Sequence, residues 1–486
     1  MLRTLVRKEI LESLLSFKFL VATVLCLTLI PLGTYVNLKE YEQRLGDYQE
    51  ALRIYQERSE GNLDLGFQAL GYRPPSMLSV FSVGLENVLP NKVATSKDGN
   101  VRMSNEQGIN NPQSLLFGKV DLLFNVSYVI SLLALLLTFS TISGEKEDGT
   151  LKLVMSNPVA RWMVLIAKII GNYVVLLIPF FLSIAVSLMI LETSGLVHFF
   201  SSSILSTLLV IVFTTLLFIF AMLNLGVLIS SLSHRSITSI VILFLCWTLL
   251  VLSVPRISPM VAEILFPVKS QQVINIQKSL LREDLGKAMD GELGDLYASL
   301  ALRNGLDPNR IFTQGRTDSE NKLLSDYDSS KTVIEHRYEQ RIALEVKKLD
   351  EDYESARRVQ SLVAMNLSRL SPVSCYTYVM AEISFTGPLE AENFRENATR
   401  YQDEVKENLY DKYILKKYIS KSGSANSISY AAGFNPQKAQ VPNMNYRRVG
   451  LSEALDREWV DIVAILLYNL VFFLASYVSF LKYDLR

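Results

Sequence analysis

Four consecutive charged residues, Glu145, Lys146, Glu147 and Asp148, stand at the end of a long apolar stretch. Gly149, Thr150 and the apolar–basic run 151–155 follow them. This pattern holds no nucleophile beside a base and no metal-ligand spacing. Its chemistry is that of docking: a short, charged, rigid helix standing off an apolar block fits a groove in a partner. On the residues alone, a solvated loop is an equally good reading. Thr150 is the expected N-cap of the short helix. Asn157-Pro158 ends it, because the residue before a proline disfavours the α conformation.

Elsewhere the reactive residue types are scattered. Cys26, Cys246 and Cys375 are odd in number and widely spaced, which fits neither a disulfide framework nor a metal motif. His198, His234 and His336 are far apart as well, and ordinary polar positions account for them better than a metal site does. No GxxxxGK[ST] occurs, so the phosphate cradle and its lysine are missing, and any ATP that drives this chain must be bound by another subunit. No GxSxG, HExxH or CxxC occurs either. The chain is expected to have no catalytic residue, no metal and no cofactor of its own.

The elements that must position the acidic segment are apolar blocks. Of 486 residues, 20% are charged, yet mean hydropathy is +0.24. Apolar and charged residues are therefore segregated along the chain. Net formal charge is zero, so no global field favours nucleic acid. A bilayer core about 30 Å thick needs roughly 20 apolar residues in a helix. Six stretches meet this: 17–36, 120–143, 162–191, 201–232, 236–254 and 459–481. In lipid each must satisfy its backbone internally, hence as α-helix. The first is too long for a signal-peptide core of about 7–15 residues. Asn125, Asn172, Asn224 and Asn469 inside the spans read as helix–helix hydrogen-bonding groups. No ionisable residue sits at a span centre, which argues against proton or sodium coupling. Pro179 is expected to kink the third span.

Lysine and arginine set the orientation. With a cytoplasmic N-terminus, the inner segments hold Arg3, Arg7, Lys8, Lys18, Lys146, Lys152, Arg161, Lys168, Arg235, Lys482 and Arg486. The short outer loop 192–200 holds no lysine or arginine. Segments 37–119 and 255–458 then lie outside, loop 144–161 lies inside, and the C-terminus returns to the cytoplasm. Residues 1–16 read as an amphipathic interfacial helix with Leu2, Leu5, Val6, Ile10 and Leu14 on one face. Tyr41, Leu45, Tyr48, Leu52 and Tyr55 continue the first span as a helix with one apolar seam. Residues 91–114 read as a polar loop. The 255–458 segment is long enough for a domain, mainly helical, with a long helix over about 318–370 and a mobile loop over 420–446. The expected fold class is an all-α polytopic membrane protein with six transmembrane helices, the N-terminal interfacial helix and this large extracytoplasmic domain.

The run from Gly144 to Leu151, followed by Ser156, Asn157, Pro158, Val159, Ala160 and Arg161, resembles the first cytoplasmic loop of type-2 ABC exporter permeases. That family pattern is approximately E-[KR]-E-x-G-T-L, a short helix, then [ST]-x-P-[VI]-x-R. The subgroup it most resembles is the permease group named for multi-copper-enzyme maturation and gliding motility. Glu145, Glu147, Gly149, Thr150 and Leu151 match motif positions, and Asp148 occupies a variable one. The resemblance implies that Glu145, Lys146, Glu147, Asp148, Gly149, Thr150 and Leu151 contact a separate ABC ATPase subunit, present in two copies, which binds the ATP and magnesium. It further implies a second permease copy, identical or paralogous, contact with membrane lipid, and residence in a bacterial cytoplasmic membrane. The size of the 255–458 insert departs from compact exporters of this kind. An alternative function is therefore ATP-driven force transmission to extracytoplasmic partners without solute transport. A scaffold or receptor without an ATPase is disfavoured, because six spans exceed what an anchor needs.

Overall fold

Long apolar blocks bounded by charged or glycine-containing turns fold as long helices, and a computed structural model of the chain shows them. It describes residues 2–59, 68–95, 101–105, 118–156, 159–195, 202–307, 318–407 and 442–482. The chain divides into two units, residues 1–255 with 369–486, and residues 256–368.

The first unit contains α1 (Leu2–Leu14) and α2 (Phe17–Ser59), followed by strands β1 (Ala69–Tyr72), β2 (Lys92–Thr95) and β3 (Val101–Ser104). Helix α3 runs through Leu122–Phe124, a π-helical turn at Asn125–Ile130, and Ser131–Thr138. Two short helices follow, α4 (Ser143–Glu147) and α5 (Thr150–Met155). Then come α6 (Arg161–Thr193), α7 (Ser202–Leu232) and α8 (Ser236–Leu265), the last with a second π-helical turn at Thr248–Ser253 and in this unit only as far as Pro255. Among the described residues, six helices are long and apolar enough to cross a membrane. This is an all-α polytopic membrane protein in its dominant architecture.

Caps and polar pairs fix these spans in register. Asp121 accepts from Phe124 N at 2.7 Å with one carboxylate oxygen, which caps α3, and from Val83 N at 2.8 Å with the other. Between spans, Asn224 donates to Asn469 Oδ1 at 3.1 Å, and Asn469 donates to Leu217 O at 3.0 Å. These asparagines join helices, as their position within apolar blocks predicts.

The region expected to be a loop over 91–114 instead carries β2 and β3, which complete an antiparallel sheet in the order β1-β2-β3. Ala69 faces Thr95, and Val93 faces Met103. Three four-residue strands have too little alternation to stand out in sequence. They are held by tertiary contacts: Tyr55, Val93, Phe394 and Tyr401 form a small core with α12 (Pro388–Val405). Tyr55 Oη accepts from Leu70 N, and Tyr401 Oη donates to Leu70 O, both at 3.0 Å. Beside the sheet, Arg73 is 2% exposed and lies 3.1 Å from Glu86.

The expectation of one domain over 255–458 gives way to a division. Residues from 369 onward belong to the same unit as the spans. Helix α11 (Pro372–Ile383) is the reason. Its Tyr376 is fully buried and stacks on Phe218 of α7 with ring centroids 4.6 Å apart. Arg369 grips the fully buried Asp461 of α13 (Leu451–Leu481) with two bonds, at 2.8 and 2.6 Å. The stretch 420–446 is outside the described residues as far as 441.

The second unit is a helical hairpin of α9 (Gln271–Arg303) and α10 (Asp318–Ser368). Lys278 pairs with Asp350, Glu292 with Arg337, and the Tyr297 ring meets Tyr327 edge-on at 5.6 Å. Partners rise along one helix as they fall along the other, so the two run antiparallel.

Candidate functional site

The acidic segment is built as two short helices hinged on a glycine. Ser230 Oγ of α7 accepts from Ile142 N and Ser143 N, at 3.0 and 3.1 Å, which fixes the start of α4. At the hinge, Gly149 has φ of 71°, in the left-handed region open mainly to glycine. Gly149 therefore holds the N-cap position of α5, where Thr150 was expected. Thr150 is the first helical residue, and its hydroxyl donates back to Glu145 O at 3.4 Å.

The seven expected docking residues fall into two sets. Glu145, Lys146 and Leu151 point into the bundle. Glu145 Oε1 lies 2.9 Å from Lys168 Nζ of α6 and 3.7 Å from Lys8 Nζ of α1. Lys168 also donates to Glu9 Oε1 of α1 at 3.1 Å. Lys146 donates to Ser231 O and Ser233 O at the end of α7. These are carbonyls that a helix C-terminus leaves without intrahelical partners. Leu151 is fully buried with Ile142, Val164, Leu165, Val227 and Phe480, so it nails α5 to three spans. The other four, Glu147, Asp148, Gly149 and Thr150, are exposed. Glu147 Oε2 accepts from Ser236 N at 3.0 Å and so also touches the first turn of α8. Lys152 and Leu153, the latter 69% exposed, extend the outward face.

Lys168 and Glu9 belong to this site although neither stands out in the sequence. Their signal was a lone lysine inside an apolar block and one of the two glutamates on the N-terminal helix. Gly171, one turn on from Lys168, lets the two helices touch: a Cβ there would lie 2.6 Å from Glu9 Cβ. Burial pushes the Glu9 carboxyl above the ordinary carboxylate range, with Lys168 opposing the shift. A second cation works like Lys146: Arg161, at the start of α6, donates to Leu481 O at 2.6 Å and caps α13.

The arrangement is a junction of helices. It presents an exposed acidic turn whose flanking residues are tied to α1, α6, α7, α8 and α13. A load applied at the turn therefore reaches five helices through short contacts.

A family model described as ABC-2 family transporter protein matches residues 3–485. Among curated proteins, none matches the chain.

Proposed function

Because the chain belongs to the ABC-2 family of transporter proteins, we propose that it is the permease subunit of an ATP-binding-cassette exporter, driven by a separate ATPase that docks on the Glu147–Thr150 turn. The observation that carries this reading is the split of the acidic segment. Four exposed residues form the turn, and Glu145, Lys146 and Leu151 anchor it into the bundle. That is the construction a docking element needs: an outward face for the partner and a stiff root in the spans.

In this reading two ATPase copies hold ATP and magnesium and seat one such turn each, on two copies of the permease, identical or paralogous. Their closure displaces the turn. Lys146 carries the end of α7 with it, Glu147 the start of α8, and Glu145 the α1–α6 pair. The spans shift as packed helices between two arrangements. Both termini and the turn face the cytoplasm of a bacterial cell, in its inner membrane, while the sheet and the α9–α10 hairpin lie outside. The exported substrate is not encoded in any feature of the turn.

A second reading, force transmission without solute movement, draws on α10. Its 51 residues make a rod about 75 Å long, well suited to carrying motion along its length.

Purification of the tagged chain from its native membrane tests the proposal. An ABC ATPase is expected to accompany the wild type, and Gly149→Arg or Glu147→Arg is expected to release it. Recovery of no ATPase, or full activity in both variants, would overturn both readings. Cysteine placed at Ser330 is expected to react with an impermeant maleimide on intact cells, and protection there would reverse the orientation.

A further inference from the structure

A cavity of about 550 Å³ opens between the last turns of α7 and α13, beside α4. Three basic side chains line it, Lys146, His234 and Lys482, and among the described residues its lining includes no aspartate or glutamate. Leu232, Leu474 and Val478 form its apolar wall. These three are 59%, 48% and 48% exposed, on helices long and apolar enough to cross a membrane. The cavity is thus cationic where the helices end and apolar where they enter the bilayer.

We infer that this cavity is a binding site for an anionic phospholipid of the adjoining leaflet, with the phosphate among Lys146, His234 and Lys482 and an acyl chain against Leu474 and Val478. Three arguments favour this occupant. The depth is right, because the cavity lies at the last turns of two spans, where headgroups sit. The charge is right, because each cation near a membrane surface favours anionic lipid. The shape is right as well: a soluble anion leaves the apolar wall wet, and a neutral lipid brings no net negative charge to the basic lining. The volume falls within the range of about 300–1,000 Å³ common for specific small-molecule sites. Lys146 also caps α7, so the lipid phosphate and the end of that span share one ammonium. The inference does not depend on the ATPase reading.

Native mass spectrometry of the purified full chain tests it, with phosphatidylglycerol and phosphatidylcholine of identical acyl chains added at equal concentration at pH 6. The wild type is expected to retain phosphatidylglycerol in clear excess. Lys482→Gln is expected to lower that excess about fivefold, and the His234→Gln/Lys482→Gln double variant to lower it further. Ser479→Trp, which fills the cavity and leaves every charge in place, is expected to abolish the excess and guards against a charge variant that fails to fold. Equal retention of the two lipids would overturn the inference. So would undiminished phosphatidylglycerol binding to Ser479→Trp. Displacement of the lipid by an equal concentration of inorganic phosphate would assign the site to free phosphate instead.

Discussion

Lys168 and Glu145 meet at 2.9 Å, although one lies within a span and the other in the turn that precedes it. The same ammonium holds Glu9 at 3.1 Å and is itself only 3% exposed. One buried cation therefore ties α1 and the root of the acidic turn to α6.

Removing that cation strands two largely buried carboxylates. Lys168→Met is expected to cost about 3–5 kcal/mol, as loss of one partner of a buried ion pair does. The readout is thermal unfolding of the purified chain in detergent. Adding Glu9→Gln and Glu145→Gln to the same variant should recover much of the loss. If the single and triple variants melt alike, the ion cluster is not what holds α1.

Gly149 and Gly118 both have positive φ, 71° and 72°, and both have open space around them. Alanine at either costs about 1–2 kcal/mol of local backbone strain. In the proposed docking role only Gly149→Ala disturbs the partner's seat. Stimulation of the ATPase is expected to fall severalfold in Gly149→Ala and to stay near wild type in Gly118→Ala. Equal effects would separate the turn from energy coupling.

Arg369 and Asp461 close the opposite end of the bundle. Arg369→Met leaves the fully buried Asp461 uncompensated and is expected to lower stability by about 3–5 kcal/mol. Arg369→Met combined with Asp461→Asn should be milder than Arg369→Met alone. Thermal melts of the wild type, Arg369→Met, Asp461→Asn and the double variant measure the coupling, and strict additivity would argue against an interacting pair.

Glu382 brings a pH dependence. Burial lifts its carboxyl from 4.5 to about 7, although Leu389 N donates to it at 3.1 Å and Arg457 opposes the shift. A carboxyl raised in the folded state binds its proton more tightly there than in the unfolded chain. Its stabilising contribution is complete below about pH 4.5 and is lost as pH rises through about 7. The melting temperature should fall across that window, and Glu382→Gln should flatten this part of the profile. An unchanged profile in the variant would remove Glu382 as its source.

The spans were legible because their signal is local: some twenty apolar residues in a row admit little besides a membrane helix. The exposed half of the acidic turn was legible for a similar reason, since charge and glycine at a helix junction act through nearest neighbours. What escaped depends on distance. Glu145 and Lys146 read as docking residues or as part of a solvated loop, yet their partners within the chain include Lys168 and the carbonyls of Ser231 and Ser233, set by helix packing. Helix α11 is twelve residues long, too short to register as a span, and only its contacts with Phe218 and the polypeptide around Arg369 reveal it as core. The strands escaped because four residues each carry almost no periodicity, and Tyr55 and Tyr401 supply the pairing that the strands lack.

The grip of Lys146 on Ser231 spans 85 positions, which gives biosynthesis a direction. The ammonium leaves the ribosome well before the carbonyls it will serve. When the fourth span emerges, its terminus meets a ready-made donor rather than waiting for one. Early chain thus finishes late chain, and an N-terminal fragment ending before Ser231 would lack both carbonyls that Lys146 serves at this helix end.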